Sequence, residues 1–476
     1  MSISQVSIGG MVRGMVTPTI RLGVTGLSRA GKTVLITALV RNLLSSNRLP
    51  FFSAMASGRI KAVYLEPQPD DEVPRFAYER HVEALTGDPP AWPESTKRIS
   101  QLRLTFEYEP VGVWRSWSSV GRLHLDIIDY PGEWLLDLGL MEVAFEDWSA
   151  RVLDRMDRPD HADIARPFLD LLKSRDPSNS YDETSAQGLA DLFTAYLRTA
   201  RERPPGLATL GPGRFLMPGD LEGSPLLTFA PLKVTQGGPR DLLAREFARR
   251  FEAYKAKVVQ PLFKDHFARL DRQIVLVDAL AGLNGGARSL QDLRDALDAA
   301  LAAFRPGRAG WFGRLMGDRQ IDKVLFAATK ADHLPRSSHD RLEAILRLLV
   351  GEAQSRSRAR GATVGVLAVA ALRATSETTA HIDGEDLPCI RGVPLAGETV
   401  DGERFDGKTQ AALFPGDLPP MPEQAIADAN AGHWDVRFVR FAPPRLDDRD
   451  APIEPKPWPH VRLDRALEFL LADKLM

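Results

Sequence analysis

The chain has 476 residues, of which 44% are hydrophobic and 26% are charged. That length exceeds one ordinary hydrophobic core, and the composition is that of a folded globular protein. The 61 basic and 63 acidic residues leave a net charge of −2, which gives no indication of a nucleic-acid partner.

The cysteine content and the hydropathy pattern indicate the compartment. A single cysteine, Cys389, excludes an intramolecular disulfide and favours a reducing environment. The first residues lack the basic start, apolar stretch and small-residue cleavage site of a secretion signal. The apolar run at residues 364–372 is far shorter than the roughly 20 residues that cross a bilayer. We therefore expect a cytoplasmic protein without a transmembrane segment.

The first predicted unit is a strand, a glycine-rich turn and a helix. Residues 20–25 are apolar and β-branched, residues 34–44 have helical spacing, and GLSRAGKT between them satisfies the P-loop pattern G-x-x-x-x-G-K-[ST]. Such a loop points backbone N–H groups at phosphates, and the helix N-terminus adds positive potential. Lys32 is expected to neutralise the β and γ oxygens and Thr33 to ligate Mg²⁺. The predicted phosphate-binding residues are Gly26, Ser28, Arg29, Ala30, Gly31, Lys32, Thr33 and Val34.

Residues 45–95 are rich in turn formers and charges, which predicts a long connection with one helix around residues 76–85. A switch threonine is expected just before the strand that follows this connection. Thr96 in WPESTKRIS fits, and Ser95 is the neighbouring candidate. Thr96 is predicted to ligate Mg²⁺ and to take part in hydrolysis. The other interpretation is an ordinary turn threonine.

Two strands are predicted next, at residues 101–107 and 121–129, as a β-ribbon that feeds a central strand. The second strand ends in Asp129-Tyr130-Pro131-Gly132. In this place a D-x-x-G motif lets Asp129 hold a Mg²⁺-bound water, while the Gly132 N–H senses the γ-phosphate. Asp126, in mid-strand, is the alternative carboxylate, but its position favours a structural role. Glu133 follows where many small GTPases have a water-orienting Gln, and it is a catalytic candidate.

The rest of the chain predicts a helical insertion and then a return to strand–helix alternation. Apolar faces at helical spacing fill residues 134–271, and buried parallel strands follow at 273–280, 322–330 and 364–370. Residues 380–460 are rich in Gly, Pro and Asp, with a strand candidate at 436–442, and an amphipathic helix at 463–475 closes the chain on the sheet. The predicted domains are residues 18–133, 134–271 and 272–476.

Base recognition is predicted at two strand ends. In Thr329-Lys330-Ala331-Asp332, the Asp332 carboxylate matches the N1–H and N2–H₂ donors of guanine, and the Lys330 stem covers the base. Adenine lacks that pair of donors, so the site should reject ATP. The usual Asn is Thr329 here, which lacks an amide donor. Asp332 as a plain helix N-cap is the alternative. Ala371 and Leu372 form the small-residue loop whose backbone N–H meets guanine O6.

Together, GLSRAGKT, WPEST, DIIDYPGEWLLDL, TKADHLP and AALRAT resemble the YcjX-like family of bacterial P-loop GTPases over nearly the whole chain. The resemblance implies an α/β P-loop NTPase fold, with a Ras-like GTPase core, a mostly parallel sheet and a large helical insertion. It also implies GTP or GDP with Mg²⁺ as ligands, a stress-response role and a membrane-protein partner. A peripheral position at the inner membrane would follow from such a partner.

Three functions are consistent with the motifs. The first is a GTP-hydrolysing switch, in which Arg29 of the P-loop leans toward the β and γ phosphates as a built-in cation. Arg29 pointing to solvent or pairing with an acid of the insertion is the alternative. The second function is an ATP-dependent P-loop transferase, which leaves TKAD unexplained. The third is a nucleotide-stabilised adaptor with little turnover, which Glu133 and Thr329 would permit.

Overall fold

The structure is a computed structural model. It describes residues 17–27, 29–45, 49–94, 96, 98–111, 120–175, 181–202, 211–233, 241–265, 267–303, 321–359, 361–382, 384–400, 402–431, 438–446 and 456–476.

A seven-stranded sheet forms the centre of the fold. Its spatial order is β2-β3-β4-β1-β5-β6-β7. Only β3 runs against its neighbours among these seven strands, and the other adjacent pairs are parallel, which confirms the predicted mostly parallel sheet. The strands are β1 Thr19–Gly26, β2 Ile60–Glu66, β3 Ser100–Tyr108, β4 Gly121–Asp129, β5 Arg272–Val277, β6 Lys323–Ala328 and β7 Thr363–Ala368.

The register of the central strands brings the nucleotide motifs to one edge of the sheet. Val24 of β1 pairs with Asp129 at the end of β4, and Gly26 pairs with Leu276 near the end of β5. Because these strands are parallel, the loops that follow them leave from the same side. Asp126 lies three residues before Asp129 on β4 and binds the Arg103 guanidinium at 2.6 Å, which agrees with the structural role favoured for it.

The prediction for residues 45–95 was incomplete. The segment contains helix α2 Ser53–Ala56 and helix α3 Tyr78–Thr86, but also strand β2, which pairs with β3 at the edge of the sheet. The β2 sequence IKAVYLE is mostly half-buried along its length. The prolines and acidic residues that follow β2 are typical of a loop, so the sequence pattern did not predict this strand.

Helices cover both faces of the sheet. Helix α1, Lys32–Leu44, follows the glycine-rich turn as predicted, and the closing helix packs Leu467 and Leu470 into the same apolar core as α1. The closing α-helix ends at Leu471, and the chain continues as a 3₁₀ helix at Ala472–Lys474, within the segment predicted as helix. Seven of the described α-helices lie within residues 134–271: α4 Trp134–Leu138, α5 Phe145–Met156, α6 Ala162–Ser174, α7 Glu183–Glu202, α8 Gly213–Leu216, α9 Leu242–Tyr254 and α10 Gln260–Asp265. The described α-helices after residue 271 are α11 Ala279–Asn284, α12 Gly286–Ala303, α13 His339–Leu349, α14 Gly351–Ala359, α15 Pro422–Ala431 and α16 Leu463–Leu471.

Helices α4 to α10 surround an aromatic core of their own. The Trp148 ring lies 5.1 Å from the Phe251 ring and 5.8 Å from the Phe193 ring, measured between centroids. Such contacts add edge-to-face and stacking attraction to a large buried apolar area. The segment is therefore helical, as predicted, while its boundaries as a domain remain a prediction. Within the described ranges, every helix is too short or too polar to cross a lipid bilayer.

The C-terminal part is more regular than its composition predicts. Strands β8 Ser376–Ile382, β9 Glu385–Gly392 and β12 Ala411–Leu413 form an antiparallel sheet, and β10 Thr399–Val400 pairs with β11 Glu403–Arg404. The strand predicted at 436–442 is not formed at 438–440, although Phe441 makes an isolated bridge to Pro394, and residues 436 and 437 lie outside the described residues.

Asp137 joins the turn after β4 to the helical segment. Its buried carboxylate accepts backbone hydrogen bonds from Gly213 at 2.6 Å and from Arg214 at 3.2 Å. Burial raises the pKa of Asp137 to about 7, and the two backbone donors act against that rise. The Arg214 guanidinium also stacks on the Trp134 ring, 3.4 Å from its centroid. Helix α4 is thus fastened to α8 by hydrogen bonds and by ring contact.

We expect Asp137→Ala to lower the free energy of unfolding by about 2–4 kcal/mol, because two buried N–H groups lose their acceptor. Urea unfolding followed by circular dichroism measures the change. Asp154→Ala, at an exposed position of α5, is the control and should change stability by less than about 0.5 kcal/mol. Equal stability of the two variants would contradict the role given to Asp137.

Candidate nucleotide-binding site

One cavity lies at the carboxyl ends of β1, β4, β6 and β7. It is lined by the P-loop, by the segment around Thr96, by the turn after β4 and by both predicted base-recognition loops. The sequence motifs, which are far apart along the chain, therefore converge on one place. The predicted residues that line it are Arg29, Ala30, Gly31, Lys32, Thr33, Val34, Thr96, Gly132, Glu133, Thr329, Lys330, Asp332, Ala371 and Leu372.

Backbone geometry explains the glycines of the P-loop. Gly26 has a φ of 148°, and a Cβ at this position would lie 2.6 Å from the Leu276 carbonyl oxygen. Gly31 has a φ of 88° and immediately precedes α1. No side chain caps the start of α1, so its first N–H groups face the loop. Arg29 has a φ of 64° and an exposed side chain, and Ser28 lies outside the described residues.

Lys32 turns back over the loop that precedes it. Its buried ammonium group donates to the carbonyl oxygens of Gly26 at 2.8 Å and Leu27 at 3.2 Å. Burial lowers the pKa of Lys32, while the carboxylates of Asp129 and Glu133 act to raise it. The ammonium therefore lies in a buried, preorganised place where a phosphate would add a strong partner.

Three oxygens from separate motifs meet beside Lys32. The Thr33 and Thr96 hydroxyls lie 3.2 Å apart, and the Thr96 hydroxyl donates to Asp129 Oδ2 at 2.5 Å. Asp129 is fully buried, and burial raises its pKa to about 6. Its Oδ1 has no hydrogen-bond partner within the described part of the chain. A hydroxyl pair with a buried, half-satisfied carboxylate fits Mg²⁺, a cation that takes few protein oxygens and keeps waters. The alternative candidate Ser95 lies outside the described residues.

Gly132 is in direct contact with the P-loop. A Cβ at Gly132 would lie 2.5 Å from the Gly26 carbonyl oxygen and 2.7 Å from Lys32 Nζ. Any side chain would therefore push the turn away from the loop. The glycine of the D-x-x-G motif is a packing requirement here, and its contact places the turn at the P-loop end of the cavity.

Glu133, the next residue, points into the protein and binds the Arg201 guanidinium of α7. Its side chain is only 4% exposed. Gly213 packs closely against the Glu133 backbone. A Cβ at Gly213 would lie 1.9 Å from the Glu133 carbonyl oxygen. The sequence offered no signal for Arg201 or Gly213, because neither belongs to a motif.

The Asp332 carboxylate uses one of its two oxygens, Oδ2, to accept a hydrogen bond from the protein backbone. Oδ2 accepts from the Ala374 N–H at 2.7 Å, and the Asp332 carbonyl accepts from the Thr375 hydroxyl. The side chain does not act as the plain N-cap considered above, since the helix that follows begins with Ser338 as its cap. Asp332 is buried and faces the cavity.

Lys330 and Thr329 are held by the neighbouring strand end. Lys330 has a φ of 60°, and its ammonium group pairs with Asp278, which also caps α11 through the Ala281 N–H at 3.1 Å. The Thr329 N–H donates to the Val277 carbonyl at 3.0 Å. Asp278 was missed by the sequence analysis, although its place directly after β5 is a signal for a cap or a site residue.

Aromatic residues close the cavity beside the predicted base-recognition loops. The Trp92 indole N–H donates to the Phe441 carbonyl at 2.7 Å, and both residues line the cavity together with Leu395. The connection before Thr96 is thereby tied to the C-terminal part. These residues were also missed, because 349 positions separate Trp92 from Phe441.

Comparisons with known proteins agree with these motifs. The chain is 36% identical over 471 residues to "Ras-like GTPase YcjX" of Escherichia coli strain K12, covering 96% of each chain. It is 34% identical over 477 residues to "Ras-like GTPase YcjX" of Shewanella oneidensis, covering 96% of this chain and 94% of that one. A solved signal recognition particle receptor SRb-GTP/SRX complex from Chaetomium thermophilum matches at 15% identity and a TM-score of 0.25, covering 75% of this chain and 92% of that chain, a similarity too low to bear on function. A family model described as "YcjX-like family, DUF463" matches residues 20–475, and the chain belongs to that family.

Proposed function

We propose that this protein binds GTP with Mg²⁺, hydrolyses it to GDP and phosphate, and acts as a nucleotide-dependent switch. The observation that carries the proposal is the meeting of Thr33, Thr96 and Asp129 beside Lys32, at the start of a helix. The relatives named Ras-like GTPase add support.

Phosphate binding is assigned to the P-loop. The N–H groups at the start of α1 and the Lys32 ammonium face the cavity, and both favour an anion. Gly26 and Gly31 permit the loop conformation that side chains would disfavour. We also assign to Arg29, at the cavity wall, a contact with the β and γ phosphates.

The cation site is assigned to Thr33, Thr96 and Asp129. Bound Mg²⁺ would neutralise charge on the β and γ phosphate oxygens. Thr33 and Thr96 supply hydroxyl oxygens, and Asp129 supplies the unpartnered Oδ1 directly or through a water. Because Thr96 belongs to the connection before β3, its engagement would order that connection when GTP is bound.

Base recognition is assigned to Asp332, Lys330 and the loop of Ala371 and Leu372. Asp332 keeps acceptor capacity for the N1–H and N2–H₂ donors of guanine, and Ala374 orients the carboxylate. The Lys330 stem is held by Asp278 where it would cover the base. Trp92 and Phe441 close the apolar wall.

The switch follows from the contact of Gly132 with the P-loop. A hydrogen bond from the Gly132 N–H to a γ-phosphate would shift residues 133–138. Because Asp137 accepts a hydrogen bond from Gly213, this shift would also displace α8. The helical segment is therefore the part of the protein that we expect to reposition for a partner.

GTP is expected to displace fluorescent GDP from the purified protein at micromolar concentration, whereas ATP is expected to fail at concentrations about 100-fold higher, because adenine leaves Asp332 without its donors. Lys32→Ala should lose nucleotide binding. Equal competition by ATP would instead favour a P-loop transferase.

Asp332→Asn tests the base assignment directly. The amide presents a donor where guanine also has a donor, so GTP affinity should fall on the order of 100-fold, while xanthosine triphosphate, with an oxygen at that position, should gain affinity. Fluorescent-nucleotide titration measures both. The matched control is Asp428→Asn on α15, which should leave both affinities unchanged. Unaltered preference in Asp332→Asn would refute the assignment.

A further inference from the structure

Helix α7 brings an arginine to Glu133, which is one of the residues that line the cavity. Arg201 lies in the last turn of this helix, whose Phe193, Leu197 and Ala200 are buried in the aromatic core. The position of Arg201 is therefore fixed by the packing of the whole helical segment. A cation at a helix C-terminus is also favoured by the helix dipole.

The partner of Arg201 in this structure is Glu133, the residue directly after Gly132. Because Gly132 touches both the P-loop and Lys32, the Arg201–Glu133 ion pair lies next to the place assigned to the γ-phosphate. The Arg201 side chain is 21% exposed and Glu133 is 4% exposed, so the pair is largely shielded from water. Charges in such surroundings interact strongly.

The charges around Lys32 support this placement. The carboxylates of Asp129 and Glu133 and the guanidinium of Arg201 all interact electrostatically with the Lys32 ammonium. Arg201 is therefore within electrostatic reach of the group that is assigned to the β and γ oxygens. A guanidinium has five N–H donors in a planar fork, so it can hold one anion and still donate to a second.

We propose that Arg201, supplied in cis by the helical segment and held by Glu133, donates to the γ-phosphate and neutralises its charge during GTP hydrolysis. This inference rests on the proposed function. During the reaction the water oxygen bonds to the γ phosphorus, and the bond from that phosphorus to the β–γ bridging oxygen breaks. GDP leaves with the electron pair, and the water protons pass to phosphate and solvent. Arg201 forms no covalent bond; it stabilises the charge of the transferring group.

An arginine in cis has a consequence for the isolated chain, which should hydrolyse GTP without a protein activator. In single-turnover reactions with Mg²⁺ and γ-labelled GTP, Arg201→Ala is expected to slow phosphate release by at least about 100-fold. Its affinity for a fluorescent, non-hydrolysable GTP analogue should stay within about 3-fold of wild type. Arg198→Ala, at an exposed position one turn earlier on α7, is the matched control and should keep the wild-type rate.

A double variant distinguishes two roles for Arg201: contact with the γ-phosphate, and neutralisation of the Glu133 carboxylate. If Arg201 acts on the γ-phosphate, Arg201→Ala combined with Glu133→Gln remains slow, because the cation is still missing. Recovery of the rate in that double variant would overturn the proposal. Arg201→Lys keeps the charge and tests folding; it should bind the analogue normally but release phosphate more slowly than wild type, since an ammonium cannot serve both anions in the same geometry.

A readout of the transition state completes the test. With GDP, Mg²⁺ and aluminium fluoride, the wild type should form a stable complex that Arg201→Ala does not form. Absence of GTP binding by the wild type would refute the proposed function itself, and binding without turnover would refute both hydrolysis and the arginine in cis. Wild-type turnover that Arg201→Ala retains would overturn the role of Arg201 alone.

Discussion

The contact between Gly132 and the P-loop is the constraint on which the site depends. It holds the turn after β4 against Gly26 and Lys32, at separations that leave no room for a side chain. The parallel pairing of β1 with β4 brings the two segments to the same edge, and the missing Cβ lets them close. With the turn in this place, Asp129 lies beside the Thr33 and Thr96 hydroxyls, and Glu133 lies at the P-loop end of the cavity.

The same turn is the attachment point of the helical segment. Trp134 and Asp137 follow within one turn of helix and bind α8 by ring stacking and by backbone hydrogen bonds. At its other end the segment returns to the sheet through Leu270, which packs against Gly23 of β1. Both ends of the helical segment thus contact strands or turns that carry nucleotide motifs, so a displacement of the P-loop or of Gly132 has a short physical route to the helices.

The features that could be predicted from the sequence are those that depend on a few neighbouring residues. The P-loop, the D-x-x-G turn and TKAD could each be recognised because a few adjacent residues carry the whole requirement, and the buried strands could be recognised from continuous apolar runs. Edge strand β2 was missed because its side chains are mostly half-buried and its neighbours resemble a loop. Arg201, Asp278 and Trp92 were missed for another reason: each acts through a partner from a different part of the chain, and only the fold brings the two together.

Under the proposal for Arg201, the helical segment has a chemical task in addition to the proposed binding of a partner. Its guanidinium binds Glu133, and Glu133 directly follows Gly132, the glycine in contact with the P-loop. Thermodynamic linkage makes such a connection reciprocal for binding: if GTP favours one position of α7, then a partner that favours that position strengthens GTP binding by the same factor. A partner that instead draws α7 away from Glu133 would remove the cation and slow hydrolysis, which prolongs the GTP-bound state. The direction of control therefore depends on which position of α7 the partner prefers.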